Sequence, residues 1–258
     1  MRRREFLLTP GLAAPGLGLQ AQPASRPLRV VIGAENDWFP YSGESLGRAE
    51  GMTVDLVAAA FAAVGVEARF DVLPYARCMA LAKVGQLVAC FNTTRTELIE
   101  ADYLWPAKPM FEERFLIYAR QDGVPARPAL GVRDLEGQPV AVTRGYEYGS
   151  EFDANPRIER LVTSHDENNF RLVLRGRARY TLAPDINARL LFQRFPELAG
   201  QFKVVGGLSL FGIYTAFSRH HPESAQTLAA FDEGMRIIGA NGVAKAIQER
   251  WRQRAGGR

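Results

Sequence analysis

The chain has 258 residues, 47% of them apolar and 23% charged, enough apolar material to bury the core of one large domain or two small ones. The net charge of +4 does not signal a nucleic-acid partner, because the arginines are scattered among acids and form no basic stripe interleaved with aromatics. Two cysteines and three scattered histidines make no metal constellation, so neither a metal nor a cofactor is expected.

Residues 1–21 read as an export signal. Arg2-Arg3-Arg4-Glu5-Phe6-Leu7-Leu8 carries a twin-arginine pattern, a short apolar stretch follows, and Leu19-Gln20-Ala21 is the expected cleavage site. The stretch is too short and too interrupted by proline and glycine to span a bilayer. Three positive charges and one negative charge leave with it, which takes the net charge from +4 to +2.

After the leader, Arg29-Val30-Val31-Ile32-Gly33 reads as a buried strand and residues 35–41 as a loop. A helix is expected from Thr53 as N-cap, with an apolar stripe of Val54, Val57, Phe61 and Val64 and a stop at Gly65. Residues 66–72 alternate as a strand, 77–84 as a helix and 87–91 as a buried strand. Residues 114–119 form a further strand, and the Pro/Gly-rich stretch 121–128 marks the first hinge. A second βα series then runs through strands at 138–143, 160–162 and 180–183, with helices starting near 146, 168 and 186. A long apolar strand at 211–217 returns the chain, and helices at 224–238 and 243–252 close it. Strands alternating with helices predict an α/β protein in two lobes, with its cleft between the strand ends. Cys78 and Cys90 read as two core thiols, with a late-forming disulfide as the alternative.

Six stretches in order resemble the extracellular solute-binding family 3, which serves polar amino-acid ABC transporters. They are Asp37-Trp38-Phe39-Pro40-Tyr41, Gly51-Met52-Thr53-Val54-Asp55-Leu56, Leu73-Pro74-Tyr75-Ala76-Arg77 and Thr94-Arg95-Thr96-Glu97. The last two are Val140-Ala141-Val142-Thr143-Arg144-Gly145-Tyr146 and Leu174-Arg175-Gly176-Arg177. The resemblance implies a two-lobed type II periplasmic-binding-protein fold with a ligand cleft at the hinge. Lobe one is expected at 28–118 plus 212–258, and lobe two at 119–211. The chain departs from the family at three places. Val88 and Arg179 stand where amino-acid binders have Asp, and Glu97, Leu98 and Ile99 occupy the neighbourhood of a missing arginine that Arg95 is expected to replace.

Trp38 and Tyr41 follow a strand end, where α/β proteins place ligands, and Tyr75 sits at the next strand-to-helix turn; Phe39 is expected to cap the core. Asn92, Thr94 and Arg95 follow a buried strand, and a guanidinium there suits a carboxylate. Arg144 and Tyr146 lie at an expected helix start, where free amides bind anions. Asp185 either meets a ligand cation or caps the helix at Ile186. Gly43-Glu44-Ser45-Leu46-Gly47 has the spacing of a nucleophile elbow without the strand-then-helix context.

These residues predict a monomeric periplasmic protein, without enzymatic activity, that captures a small polar, carboxylate-bearing solute for an inner-membrane ABC permease. A dehydratase on the same fold is the alternative, with Glu35 and Glu97 as its candidate acids. A sensory module is the other; such a sensor is expected to continue into a membrane span, and this chain ends at Arg258.

Overall fold

The computed structural model describes residues 29–123 and 129–256. The expected leader lies outside the described residues, as does most of the expected hinge stretch.

The first strand, β1 (Arg29–Glu35), buries Val30, Ile32 and Ala34. A three-stranded ribbon follows where the sequence reads as loop: β2 (Asp37–Trp38), β3 (Ser42–Ser45) and β4 (Arg48–Glu50). Its turn is Leu46-Gly47, at φ 51° and 74°, the left-handed backbone that a two-residue hairpin requires. Ser45 therefore sits on a hairpin, with no helix after it, and is no nucleophile.

Helix α1 (Met52–Ala63) starts at Gly51 instead of Thr53. Gly51 has φ 147°, and Thr53 is inside the first turn and fully buried. The strands β5 (Glu67–Leu73) and β6 (Ala89–Thr94) flank β1 in parallel, with α2 (Tyr75–Lys83) connecting them. Two short pieces, β7 (Tyr103–Leu104) and β8 (Phe111–Glu113), belong to the same sheet.

The next strand, β9 (Leu116–Arg120), opens the second sheet. That sheet also takes β10 (Pro139–Thr143), β11 (Glu159–Thr163), β12 (Tyr180–Ala183) and β13 (Phe202–Gly207), in the order β11-β10-β12-β9-β13. Between them run α3 (Ser150–Asp153), α4 (Asp166–Leu174) and α5 (Asp185–Arg194). The return strand β14 (Phe211–Ser218) pairs antiparallel with β6 in the first sheet, and α6 (Ser224–Ala240) and α7 (Val243–Gly256) follow it.

Two expectations change. The strand placed in lobe one at 114–119 pairs instead with β12 and β13, so the chain leaves the first sheet between Glu113 and Leu116. Apolar alternation reveals a strand but not its sheet. Cys78 and Cys90 are joined as a disulfide between α2 and β6, both fully buried, instead of standing as two thiols.

In the first lobe α1 and α6 cross closely: Phe61 and Phe217 each pack on Phe231, with ring centroids 5.7 and 5.6 Å apart. Gly234 permits this approach, since a Cβ there would run into the Ala60 backbone. In the second lobe Tyr118, Phe170, Phe192 and Phe202 form an aromatic cluster. Among the described residues no helix is long and apolar enough to cross a membrane.

The helix crossing gives an opposed pair of predictions. Gly234→Ala should destabilise the fold by about 1–3 kcal/mol, because backbone cannot yield to an added methyl. Gly239→Ala, exposed on the same helix with open space around it, should stabilise by about 0.5–1 kcal/mol. Urea melts of both variants decide this; the same sign for both would remove the steric account.

Candidate functional site

The segments that end β1 and β6, and those that follow β5 and β10, meet at one small cavity of about 10 Å³ between the sheets, room for about one water molecule. Glu35 is the last residue of β1, Asn92 and Thr94 end β6, Tyr75 begins α2, and Tyr146 and Glu147 follow β10. Trp38, Phe115 and Ile213 complete the wall. Asn92 takes φ 69°, a left-handed conformation that asparagine tolerates, close to where the β6–β14 register shifts. Its amide Nδ2 donates to Ser42 Oγ at 3.0 Å, and Ser42 Oγ donates to the Glu35 carbonyl at 2.8 Å. That relay fixes which end of the amide is which.

Two hydrogen bonds cross between the lobes in opposite directions. Tyr75 of the first lobe donates to Glu147 of the second at 2.5 Å, and Tyr146 of the second donates to Glu35 of the first. The two phenol rings meet edge-on, with centroids 5.2 Å apart at 88°, and Trp38 meets Tyr146 at 6.2 Å and 73°. Gly145 has φ 82°, and a Cβ there would lie 2.9 Å from Ala76 Cβ across the lobe boundary, so only glycine lets the two lobes come this close. At the rim Asn187 donates to the Phe39 carbonyl at 2.9 Å, and Asp37 receives Arg194 at 3.2 Å and His165 at 3.1 Å.

The cavity is acidic, and burial raises the pKa of its acids. Burial raises Glu35 well above the usual carboxyl value, against the hydrogen bond from Tyr146, with Asp166 and Asp37 raising it further. Burial likewise pushes Glu147 up to about 8, opposed by the Tyr75 hydrogen bond. Behind them, buried Asp166 is raised to about 7 although Thr143 Oγ1 donates to it at 2.6 Å. Among the described residues no basic side chain lines the cavity. Two lining atoms are buried without a partner, Asn92 Oδ1 and Trp38 Nε1. Among the described residues no three His, Cys, Asp or Glu side chains are gathered to hold a metal ion.

Of the nine residues singled out in the sequence, Trp38, Tyr75, Asn92, Thr94 and Tyr146 line this cavity. Tyr41 does not: it is buried beneath it, stacked on Phe111 at 5.4 Å, with its hydroxyl donated to Glu113. Phe39, expected in the core, is instead 39% exposed at the rim and packs edge-on against Trp251. Arg95 is held by Glu100 through two hydrogen bonds of 2.6 and 2.5 Å and leans on Trp105, away from the cavity. Arg144 is exposed on a neighbouring groove, and no helix starts beside it, since α3 begins only at Ser150. Asp185 pairs with Arg189 on a separate surface groove. The arrangement expected to grip a carboxylate is therefore not assembled, because both arginines are engaged or displaced outward. Glu147 and Phe115 were not legible as site residues, and Glu35 was noted only as a candidate acid for the alternative reading. The usable signal was position, since Glu35 and Glu147 each stand at or just beyond a strand end.

The raised carboxyls fix the sign of a pH effect. A group whose pKa is higher folded than unfolded binds an extra proton in the native state, so stability falls as pH rises from its unfolded to its folded value. Between about pH 5 and 8 the ligand-free protein should therefore lose stability. Glu147→Gln, which removes one such proton, should flatten that slope by up to about 1.4 kcal/mol per pH unit. Denaturant titrations across this range test it, and an unchanged slope in the variant would place the proton elsewhere.

No protein-family model matches the chain, and no curated protein matches it. Solved structures do. A histidine kinase sensor domain with similarity to periplasmic binding proteins is 23% identical at a TM-score of 0.76, covering 88% of this chain and 96% of that one. An ancestral arginine-binding protein bound to arginine is 18% identical at 0.72, covering 88% and 99%. The arginine-, lysine-, histidine-binding protein ArtJ from the thermophilic bacterium Geobacillus stearothermophilus is 19% identical at 0.70, covering 86% and 94%. The chain has the two-lobed α/β fold of the periplasmic binding proteins.

Proposed function

We propose that this chain is an exported solute-binding protein that encloses a small polar solute between its lobes and delivers it to an inner-membrane permease of the ABC type. One observation carries the reading. The cavity is walled by reciprocal tyrosine–glutamate pairs, each with one partner on either lobe, so filling the cavity and setting the lobe angle are a single event. The two chain crossings, at 114–115 and 208–210, act as the hinge. The twin-arginine leader supports delivery to the periplasm, where the protein works as a monomer. The arginine and other amino-acid binders among the structural neighbours support a nitrogen-containing solute.

A second reading is favoured by one feature, the convergence of Glu35 and Glu147, two carboxyls able to exchange protons in one cavity. A dehydratase could use such a pair. The absence of a basic lining residue weighs against the carboxylate substrates of the cyclohexadienyl dehydratases, and a turnover assay with such a substrate should show no product.

The main experiment is a thermal-shift screen of small solutes followed by tryptophan fluorescence. A solute at a hundred times its Kd adds about 2.7 kcal/mol and should raise Tm by roughly 5–10 °C. Because Trp38 lines the cavity, the same solute should alter its emission, and Trp38→Phe should abolish that change. A solute that stabilises the protein without touching Trp38 emission would move the binding site out of this cavity.

A further inference from the structure

The polar atoms of the cavity have a lopsided inventory. Glu35, Glu147 and Asn92 all present oxygen acceptors, and the Asn92 amide cannot turn round, because its nitrogen is committed to the Ser42 relay. Asn92 Oδ1 is left with no donor although the residue is only 7% exposed, an arrangement costly to keep unless something supplies the missing hydrogen. Each glutamate receives a phenol hydrogen from the other lobe. The unmatched need is thus for N–H donors converging from a ligand.

The walls point the same way. Trp38 and Tyr75 each meet Tyr146 edge-on beside the cavity, and an aromatic face turned to it would favour a cation. A ligand carboxylate would face two carboxyl groups in a desolvated space with no counter-charge, since Arg95 is bound to Glu100 and Arg144 lies outside. In this closed arrangement the cavity has room for about one water-sized group, so a ligand fits only as the lobes readjust. Trp38 Nε1, a buried donor without an acceptor, suits a neutral oxygen on that ligand.

We infer that the cavity is a site for a small primary ammonium carrying a neutral hydroxyl and no carboxylate, an assignment that rests on reading this cavity as the solute site. The three N–H groups go to Glu35, Glu147 and Asn92, replacing the two tyrosine hydrogens as the lobes readjust. The site is thereby separated from that of an amino-acid binder, which must hold a carboxylate as well.

The test uses one carbon skeleton with one end changed at a time, read by calorimetry and by Trp38 emission in the mature protein at pH 8. The probes are ethanolammonium, 1-propanol (a methyl in place of the ammonium), β-alanine (a carboxylate in place of the hydroxyl), propionate and choline (no N–H). Ethanolammonium should bind, with the other four at least roughly tenfold weaker. Glu35→Gln and Glu147→Gln should each weaken ethanolammonium by roughly tenfold or more, and Arg95→Ala by less than about twofold. Asn92→Ala serves as a further variant should either glutamate substitution fail to fold. Equal or tighter binding of propionate, β-alanine or 1-propanol would overturn the ammonium assignment and leave the solute-binding reading standing. Equal binding of choline would overturn the assignment of the N–H donors. No response of Trp38 to ethanolammonium would overturn the inference outright, while the broader reading would still be decided by the solute screen.

Discussion

Burying a carboxyl group between two lobes is unfavourable unless something donates to it, and this protein does so twice. Glu35 and Glu147 line the cavity from opposite lobes, and each receives a hydrogen from a tyrosine on the other side. Neither lobe can therefore complete its own polar inventory alone. The close approach of Gly145 to Ala76, the edge-on rings of Tyr75 and Tyr146, and the rim bonds of Asp37 and Asn187 are all compatible with one lobe angle, the angle at which those two donations are made. The same burial raises both carboxyls above the usual range, Glu147 to about 8.

Much of the fold was legible because its physical signals are local. The helices at 52–63, 166–174 and 224–240 carry apolar faces at helical spacing, and the parallel strands β1, β6, β10 and β12 are short buried runs between turn residues. The ribbon β2-β3-β4 escaped because its strands have two to four residues and contain glycine and serine, too short a run for alternation to show. The sheet that owns β9 escaped for a different reason. Pairing is long-range, and nothing in Leu116-Ile117-Tyr118-Ala119-Arg120 specifies Ala183 and Val204 as neighbouring partners.

In the site, residue type was readable and direction was not. Asn92 and Thr94 line the cavity, whereas Thr93 reaches Met79 and Arg95 reaches Glu100, and the bulge at left-handed Asn92 hides that facing from simple alternation. A guanidinium one residue past a strand looks like a ligand contact on composition alone; here Glu100 holds it. The aromatic residues were easier, since Trp38, Tyr75 and Tyr146 each lie beyond a strand end with no other obvious place to go. Glu147 was hidden because an acid after a glycine turn ordinarily faces water, and only the other lobe, arriving over it, makes it an interior group.

The bridge between Cys78 and Cys90 bears on how such a cavity can open. Cys78 lies one turn into the helix that begins with Tyr75, and Cys90 lies two residues before Asn92 on the neighbouring strand. The covalent link thus ties two walls of the cavity into a single jaw. Tyr75 and Asn92 therefore keep a fixed separation whatever the angle of the lobe that carries Tyr146 and Glu147.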